Sequence, residues 1–354
     1  MIKSKREFVK KTGSALALST TGFSFNIISK DTVADQEIIG HGDFQYKVHK
    51  DWGTQNPNKV PVQDCHEMIQ TEDGRLFLLT NETKNNIIIY DRSGKVLSVW
   101  GHAFPGAHGL TLSREGDQEF LFITDLLTHE VYKTTLDGQV IMTIPYPQET
   151  GLYRLKKQFM PTEVAVAPNG DFFITDGYGL QYVIKYDSKG NILKVFGGLG
   201  SGDDLFASRW TAHGVCIDKR NNADKPTLIV SARHENLFKW FDLDGNFLRQ
   251  IYLPGAFLSR PVIQGNELYT AVLNSEMPWA VSNTGFVMIL NKENKVISNP
   301  GGTAPVYRDN KLQTLKQKES IFMHPHDVCI DDDLNIYVCQ WNSSKTYPIK
   351  LERI

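Results

Sequence analysis

The amino-acid sequence predicts an all-β protein, a six-bladed β-propeller whose last blade is completed by a strand from the N-terminal part of the chain. Three observations lead to this prediction. From His66 to His326, a unit of four short strands recurs at an average spacing of 52 residues, close to the 40–50-residue period that is typical of propeller blades. Histidines occupy one equivalent position in several of these units. The last unit is one strand shorter than the others.

Each unit reads as a strand, a polar turn, a second strand, a loop, a third strand that ends in a polar turn with glycine, and a fourth strand. In the first unit, Asp73-Gly74 forms the first turn and the string IIIYDRSGKVLSVWG supplies the last two strands. The six units span residues 67–101, 109–144, 163–198, 214–251, about 260–302, and 326 onwards. Four-stranded units at this spacing favour a propeller over a sandwich.

The sixth unit predicts how the ring closes. Its string VCIDDDLNIYVCQWNSSKTYPIKLERI contains three strands and no segment for a fourth. The string FQYKVHKDWG at residues 44–53 can supply that strand, and its Trp-Gly ending matches Trp100-Gly101. Pairing of the first and last segments removes open sheet edges, which would otherwise promote aggregation. Residues 31–354 are therefore predicted to be a single propeller of six blades.

Composition restricts the partners. The chain has 354 residues, 41% of them hydrophobic, and a formal net charge of −2. This near-neutral balance argues against nucleic acid and anionic membranes as partners. No apolar run reaches the length of a membrane-spanning helix. The four cysteines form no Cys-x-x-Cys pair, so we interpret them as buried free thiols. We expect a monomer that acts on a small-molecule or peptide substrate.

Residues 1–30 form a separate segment. The basic string SKREFVK precedes the small, weakly apolar run TGSALALSTTGFSF. This order resembles a bacterial twin-arginine export signal, with Lys5 where the first arginine normally stands. A disordered basic tail is the alternative interpretation. The signal interpretation predicts an exported protein located in the periplasm or secreted.

Three histidines recur at one position of the unit, in the strings AHGL at His108, AHGV at His213 and PHDV at His326. In a closed ring, equivalent positions converge on the axis. Three imidazoles with an open fourth position are the arrangement of a catalytic zinc ion. A single inner-strand histidine is more often a polar plug of the channel, but three at one repeat position favour a metal site.

A further set of residues could belong to an additional site. In the third unit the axial position is held by Thr162, which stands seven residues before Asn169 of the turn. His66 stands seven residues before Asp73 of the corresponding turn, so it holds the axial position of the first unit. The residues that would accompany it or lie near the same mouth are Glu67, Glu163 and His324. Either His66 or His324 is a candidate fourth metal ligand. A saturated metal would favour a structural role, whereas an open position would favour catalysis.

The histidine strings, together with PTEVAV at residues 161–166 and TDGY at residues 175–178, resemble the lyase domain of peptidylglycine alpha-amidating enzymes. The resemblance extends from about residue 104 to the end of the chain. That family is a six-bladed propeller of the NHL-repeat type. The resemblance implies cleavage of a peptidyl-α-hydroxyglycine into a peptide amide and glyoxylate at a central zinc ion.

The resemblance also implies roles for individual residues. The zinc ligands would be His108, His213 and His326. Tyr178 would be the general base, and Arg233, in the string SARHEN, would hold the substrate and keep the tyrosine acidic. Asp327 and the backbone carbonyl of Leu110 would bind a structural calcium ion. A phenol needs such a neighbouring cation to act as a base near neutral pH.

One departure from the family concerns the substrate. The family carries an arginine near the end of the second strand of its first blade, where this chain reads LTNE at residues 79–82. The side that recognises the substrate carboxylate is therefore altered. Two alternatives stay open: an exported NHL-repeat propeller that is a metal-dependent hydrolase or lyase on a sugar or small hydroxy acid, and a non-catalytic binding module.

Overall fold

The computed structural model describes residues 37–275 and 284–354. Six antiparallel sheets follow one another along these residues, and the innermost strand of each contacts the innermost strand of the next. The innermost strands of the sixth and first sheets also touch, so the ring is closed. The predicted six-bladed β-propeller is confirmed. Within this part of the chain, no helix is long and apolar enough to span a bilayer. The predicted export segment, residues 1–30, lies outside the described residues.

The strands follow the predicted units. Two strands precede the first blade: β1 (Ile38–His41) and β2 (Phe44–His49). Blade one contains β3 (Cys65–Gln70), β4 (Leu76–Thr80), β5 (Ile87–Tyr90) and β6 (Val96–Trp100). Blade two contains β7 (Ala107–Glu115), β8 (Gln118–Asp125), β9 (Glu130–Thr135) and β10 (Val140–Ile144). Blade three contains β11 (Glu163–Val166), β12 (Phe172–Thr175), β13 (Tyr182–Tyr186) and β14 (Ile192–Gly197).

The second half of the ring repeats this order. Blade four contains β15 (Ala212–Asp218), β16 (Thr227–Ala232), β17 (Leu237–Phe241) and β18 (Phe247–Tyr252). Blade five contains β19 (Val262–Gln264), β20 (Glu267–Val272), β21 (Phe286–Leu290) and β22 (Val296–Ser298). A hairpin follows, formed by β23 (Tyr307–Arg308) and β24 (Lys311–Leu312). Blade six contributes β25 (Pro325–Ile330), β26 (Ile336–Gln340) and β27 (Ile349–Arg353).

The N-terminal strand completes the last blade, as predicted. Strand β2 pairs antiparallel with β27, with Tyr46 opposite Arg353 and Val48 opposite Leu351. Two details differ from the prediction. Strand β1 adds a fifth strand outside β2, and β2 ends at His49 instead of continuing to residue 53. The reason is that the chain turns away from β27 after His49, and the Trp52 ring packs into the core between blades one and six.

The hydrophobic core lies between the blades. Each of six apolar clusters combines residues from two neighbouring blades, which is what a closed ring of six requires. The middle strands are buried on both faces, so their sequences are continuous apolar runs, such as IIIY in β5. Each large side chain buried there stabilises the fold by about 1.5–3 kcal/mol. This packing holds the inner strands, and hence the channel residues, in fixed positions.

Candidate metal centre and catalytic site

Four histidines project into the channel from irregular points of the innermost strands. In blades one, two, four and six, the pairing between the first two strands shifts register directly beside the axial histidine. Such a bulge re-aims side chains that a regular strand would direct at the neighbouring blades. Blade three, in which Thr162 takes the axial position, pairs β11 with β12 in regular register. The histidines are therefore aimed by backbone geometry as well as by their place in the repeat.

The rings of His66, His108, His213 and His326 converge on the axis, and each residue is at most 5% exposed. The centroid of His108 lies 5.0, 5.0 and 4.8 Å from those of His66, His213 and His326. Burial lowers the pKa of all four rings, that of His66 to about 4, and the charge of Arg233 lowers them further. All four imidazoles are therefore neutral near pH 7, as metal binding requires.

A metal ion fits three of these histidines. The ligand nitrogens of His66, His108 and His326 all lie within 4.8 Å of one another. His108 Nδ1 donates to the carbonyl oxygen of Thr162 at 2.9 Å, and His326 Nδ1 donates to that of His66 at 3.1 Å. These bonds favour the tautomer whose Nε2 carries the lone pair, and His326 Nε2 is buried without a hydrogen-bond partner. Three neutral imidazoles are a donor set that suits zinc with an open position.

His213 differs from the other three, although the sequence predicts it as a ligand together with His108 and His326. Its Nδ1 lies 3.1 Å from Arg233 Nη2, and its Nε2 lies 3.1 Å from the Tyr178 hydroxyl. A guanidinium can only donate hydrogen bonds, so Nδ1 of His213 accepts and Nε2 carries the proton. In this tautomer His213 has no lone pair for a metal and donates instead to the tyrosine oxygen.

Tyr178 and Arg233, for which the family resemblance implies the roles of base and neighbouring cation, are in contact. Arg233 Nη1 donates to the Tyr178 hydroxyl at 3.4 Å, and the same hydroxyl lies 3.4 Å from His108 Nε2. Burial raises the pKa of Tyr178, while the neighbouring guanidinium lowers it. The arrangement therefore brings together a phenol, a cation that stabilises its deprotonated form and one of the histidines that fit a metal.

Hydrogen bonds outside the cavity fix the positions of Tyr178 and Arg233. The Asp176 carboxylate accepts hydrogen bonds from the Tyr153 hydroxyl at 2.7 Å and from the Met160 N–H at 2.7 Å, which fixes the turn that presents Tyr178. Arg233 follows β16 in a short 3-10 helix, and its Nε donates to the Leu258 carbonyl oxygen at 2.9 Å. With these bonds, neither Tyr178 nor Arg233 needs a ligand to hold its position.

An apolar cavity of about 390 Å³ opens above the histidines. Its polar lining includes Tyr178, Arg233 and Asn81 beside the axial histidines, and Arg233 supplies the one guanidinium among the described lining residues. Asn81 lies in the stretch where the family's arginine is missing and pairs with Asp64, 3.1 Å from its Nδ2. His324 is not among the lining residues, and its ring centroid lies 5.7 Å from that of Trp341. The apolar lining includes Pro105, Leu126, Leu127, Met160, Trp210 and Phe257.

A second layer of the channel lies one residue further along the innermost strands. Glu67 and Glu163, predicted as members of an additional site, belong to this layer, and so does Asp327. The three carboxylates surround Arg260, a residue that sequence reasoning missed. Its only sequence signal is its place after Ser259 in the weakest copy of the repeat, equivalent to the place of Glu163 after Thr162.

The second layer does not fit the calcium ion that the resemblance implies at Asp327 and Leu110. Arg260 Nη1 donates to the Leu110 carbonyl oxygen at 2.9 Å. Arg260 Nε and Nη2 donate to the two Asp327 carboxylate oxygens at 3.0 and 2.8 Å. Burial raises the pKa of Asp327 to about 6, and the guanidinium opposes this shift. Both predicted calcium ligands are therefore occupied by a side-chain cation.

Comparisons with known proteins find amidating lyases among the relatives of this chain. The chain is 34% identical over 129 residues to a "Probable peptidyl-alpha-hydroxyglycine alpha-amidating lyase" of Caenorhabditis elegans, covering 35% of this chain and 34% of that protein. It is 26% identical over 275 residues to peptidyl-alpha-hydroxyglycine alpha-amidating lyase 1 of Drosophila melanogaster, covering 72% of this chain and 46% of that protein. The chain thus spans less than half the length of these curated relatives. No family model matches the chain.

Solved structures share the architecture. A gluconolactonase from Xanthomonas campestris has a TM-score of 0.55 at 13% identity, with coverage of 90% of this chain and 95% of that chain. A streptogramin B lyase has a TM-score of 0.53 at 16% identity, with coverage of 83% and 94%. These likenesses show the fold alone. Together with the curated relatives, they confirm the predicted resemblance: the chain is a six-bladed β-propeller similar in sequence to peptidyl-alpha-hydroxyglycine alpha-amidating lyases.

Proposed function

We propose that this protein is a metal-dependent lyase that cleaves a hydroxyl-bearing, carbinol-type substrate. The names of the amidating lyases among its relatives specify such a substrate, a peptidyl-α-hydroxyglycine. The observation that carries the proposal is the contact of one tyrosine hydroxyl with two axial histidines and an arginine. The Tyr178 oxygen lies 3.1 Å from His213 Nε2 and 3.4 Å from both His108 Nε2 and Arg233 Nη1. A base, its stabilising cation and a neutral imidazole site thus adjoin one cavity. A non-catalytic binding module would not need these three groups in contact, so the arrangement favours an enzyme.

We further propose that the metal is zinc and that His66, His108 and His326 hold it. The short distances between their ligand nitrogens and the unpartnered Nε2 of His326 support this set. A divalent cation held by neutral imidazoles lowers the pKa of a hydroxyl group bound to it. His213 would then act on the tyrosine, to which its Nε2–H donates, and one position would stay open for the substrate.

In this proposal Tyr178 takes the proton from the substrate hydroxyl. The electron pair of that O–H bond forms a C=O bond, the bond from the same carbon to the amide nitrogen breaks, and the nitrogen takes up a proton. The products are an amide and an aldehyde, and no water is consumed. Arg233 and the Nε2–H of His213 favour the phenolate because both donate to its oxygen.

The cavity supports a substrate with an apolar group beside the reacting carbinol. Leu127 and Trp210 line it and are 65% and 44% exposed, so each has surface for a ligand to cover. Arg233 is the one guanidinium of the described lining. A second cation that could bind a substrate carboxylate together with Arg233 is not found at Asn81, which offers a neutral amide. We therefore propose carbinols with an apolar flank and, at most, one negative charge.

The test is an assay of the zinc-loaded protein with α-hydroxyglycine peptides that carry an apolar penultimate residue, followed by detection of the peptide amide and glyoxylate. Tyr178→Phe should keep fold and zinc but lose about 10²–10⁴-fold in rate, the usual loss when a general base is removed. Tyr182→Phe, four residues further along on β13 and outside the cavity lining, is the matched control. Equal turnover by Tyr178→Phe and wild type would refute the base assignment.

We also propose that the protein is exported, on the ground of the twin-arginine-like segment in residues 1–30. The proposal is tested by fractionating bacterial cells that express the full chain or a chain lacking these residues. Periplasmic recovery of the full chain alone supports export. Equal cytoplasmic retention of both contradicts it.

A further inference from the structure

The second layer of the channel consists of the residues that directly follow the axial position of each blade. Three blades place a carboxylate there, with Glu67, Glu163 and Asp327 at most 1% exposed. Blade five places Arg260 there, at 8% exposure. The remaining two blades place Gly109 and Gly214. A single guanidinium therefore stands among three buried acids, on the side of the histidines away from the substrate cavity.

Arg260 forms hydrogen bonds to three other blades and an ion pair to a fourth. Its Nε and Nη2 grip Asp327 of blade six at 3.0 and 2.8 Å, and its Nη1 donates to the Leu110 carbonyl of blade two at 2.9 Å. Its Nη2 also donates to the Met68 carbonyl of blade one at 3.3 Å. The Glu163 carboxylate of blade three lies 3.7 Å from Nε. One side chain thus joins five of the six blades at the axis.

The groups around Arg260 are the groups that a hard divalent cation would choose. They are carboxylate oxygens and backbone carbonyl oxygens, the ligands that calcium prefers. Two carboxylate oxygens of the layer, Glu67 Oε1 and Glu163 Oε2, are buried without a hydrogen-bond partner. Arg260 is the cation with which all three carboxylates of this layer pair, so removal of its guanidinium would leave buried carboxylate and carbonyl oxygens with no positive charge among them.

Gly109 and Gly214, the two glycines of this layer, let neighbouring strands approach the charged residues closely. A Cβ atom on Gly214 would lie 2.5 Å from Arg260 Cα, so any side chain there would displace the backbone that carries the guanidinium. A Cβ atom on Gly109 would lie 2.5 Å from the Thr162 carbonyl oxygen. Both positions bring neighbouring inner strands together around the layer, because only glycine permits this approach.

We propose that Arg260 is the built-in cation of the propeller axis: it occupies the place of a bound divalent cation and lets the ring close without calcium. A corollary is a latent site. When the guanidinium is removed, Glu67, Asp327 and the Leu110 carbonyl become a calcium site. The proposal does not depend on the lyase function, since it concerns the layer behind the histidines.

The first test uses the wild-type full chain, passed over a chelating resin and reloaded with zinc. Addition of millimolar calcium should leave the melting temperature unchanged, and elemental analysis after dialysis should find no calcium. A stoichiometric calcium ion, or a calcium-dependent rise in melting temperature, would overturn the proposal because the cage would then hold both cations.

The second test uses Arg260→Met, which keeps most of the side-chain volume and removes the charge. Its melting temperature should fall, and calcium at about 100 times its Kd should raise it again by more than about 5 °C. Arg260→Lys, which keeps the charge, should show no calcium response. Arg260→Met combined with Asp327→Asn is the matched control and should lose the response.

If Arg260→Met folds only in the presence of calcium, that outcome supports the proposal equally. If calcium neither stabilises a folded Arg260→Met nor recovers an unfolded one, the proposal is wrong. A calcium response that persists when Asp327→Asn is added would place the ion elsewhere and would overturn the assignment as well.

Discussion

At the scale of single residues, two adjacent positions of the repeat decide what the channel contains. The first position carries a histidine in four blades. Two of these histidines, His66 and His326, are followed directly by an acidic residue, Glu67 and Asp327. In blade five the same pair reads Ser259-Arg260. Because adjacent residues of a strand separate along the axis, one position builds the imidazole layer and the next builds the charged layer.

The ligand set makes a first prediction at this scale. His66→Ala should lose stoichiometric zinc, because His66 is one of the three histidines whose ligand nitrogens lie within 4.8 Å of one another. His213→Ala should keep zinc but turn over slowly, since it removes a donor to the Tyr178 oxygen. Elemental analysis of both variants after dialysis checks this.

His102→Ala is the matched control, because His102 is exposed and bonds to the Thr83 carbonyl oxygen at 2.8 Å. Loss of zinc from His213→Ala together with full zinc in His66→Ala would restore the ligand set that the family resemblance implies. That result would leave the tyrosine contact of His213 without a separate role.

Arg233 makes a second prediction, on pH. Burial raises the pKa of Tyr178 and Arg233 lowers it, so the phenolate fraction, and with it the rate, should rise with pH in the wild type. Arg233→Ala removes the lowering influence, so the rising limb of kcat/KM should move to higher pH. Arg308→Ala, which removes an exposed arginine of the β23–β24 hairpin, should leave the limb in place. An unshifted limb in Arg233→Ala would contradict the prediction.

The residues that sequence could and could not reveal differ in the range of their contacts. The axial histidines were predictable because a repeat places them at equivalent positions. The positions of Tyr178 and Arg233 at second-strand ends of adjacent blades were readable as well, but their contact was not, because it depends on side-chain geometry. The split of the histidines into metal-fitting and tyrosine-facing members was not, since it depends on which nitrogen meets Arg233. Arg260 was missed because its bond to Leu110 joins residues 150 positions apart.

At the scale of elements, the blades combine regular middle strands with interrupted inner strands. Apolar runs such as IIIY in β5 made the middle strands predictable. The register shifts beside the histidines were not predictable, because they come from the need to turn a polar side chain away from the apolar interface. Strand β2 ends earlier than predicted for a different reason: the Trp52 ring turns into the apolar core, where its ring centroid lies 4.6 Å from that of Tyr337.

The closing strand makes a third prediction. Tyr46 of β2 is fully buried in the cluster between blades five and six, whereas Ile38 of β1 is 58% exposed. Tyr46→Ala should destabilise the fold by about 3–5 kcal/mol, the usual cost of truncating a buried aromatic. Ile38→Ala should cost less than about 0.5 kcal/mol. Denaturant unfolding measures both; equal midpoints for the two variants would show that the seam contributes little.

At the scale of the whole molecule, packing between blades carries the stability, and a fourth prediction concerns the thiols. All four cysteines, Cys65, Cys216, Cys329 and Cys339, are free. Burial raises the pKa of each thiol, so the reactive thiolate is scarce in the native state. The melting temperature should not change with reductant, and a thiol reagent should react slowly until denaturant exposes four thiols. Fewer than four in denaturant without reductant would contradict this.

The pairing of β2 with β27 has a consequence for the order in which the blades occur along the chain. The N–H of Ile354 donates to the Gln45 carbonyl oxygen at 3.2 Å, and that of Val48 donates to the Glu37 carbonyl oxygen at 3.0 Å, so both ends of the described chain lie at one seam. The ring has no privileged first blade once that seam is joined. A circular permutant that links residue 354 to residue 37 and opens the exposed turn at residues 221–225 should therefore rebuild the same channel, with the seam moved into blade four.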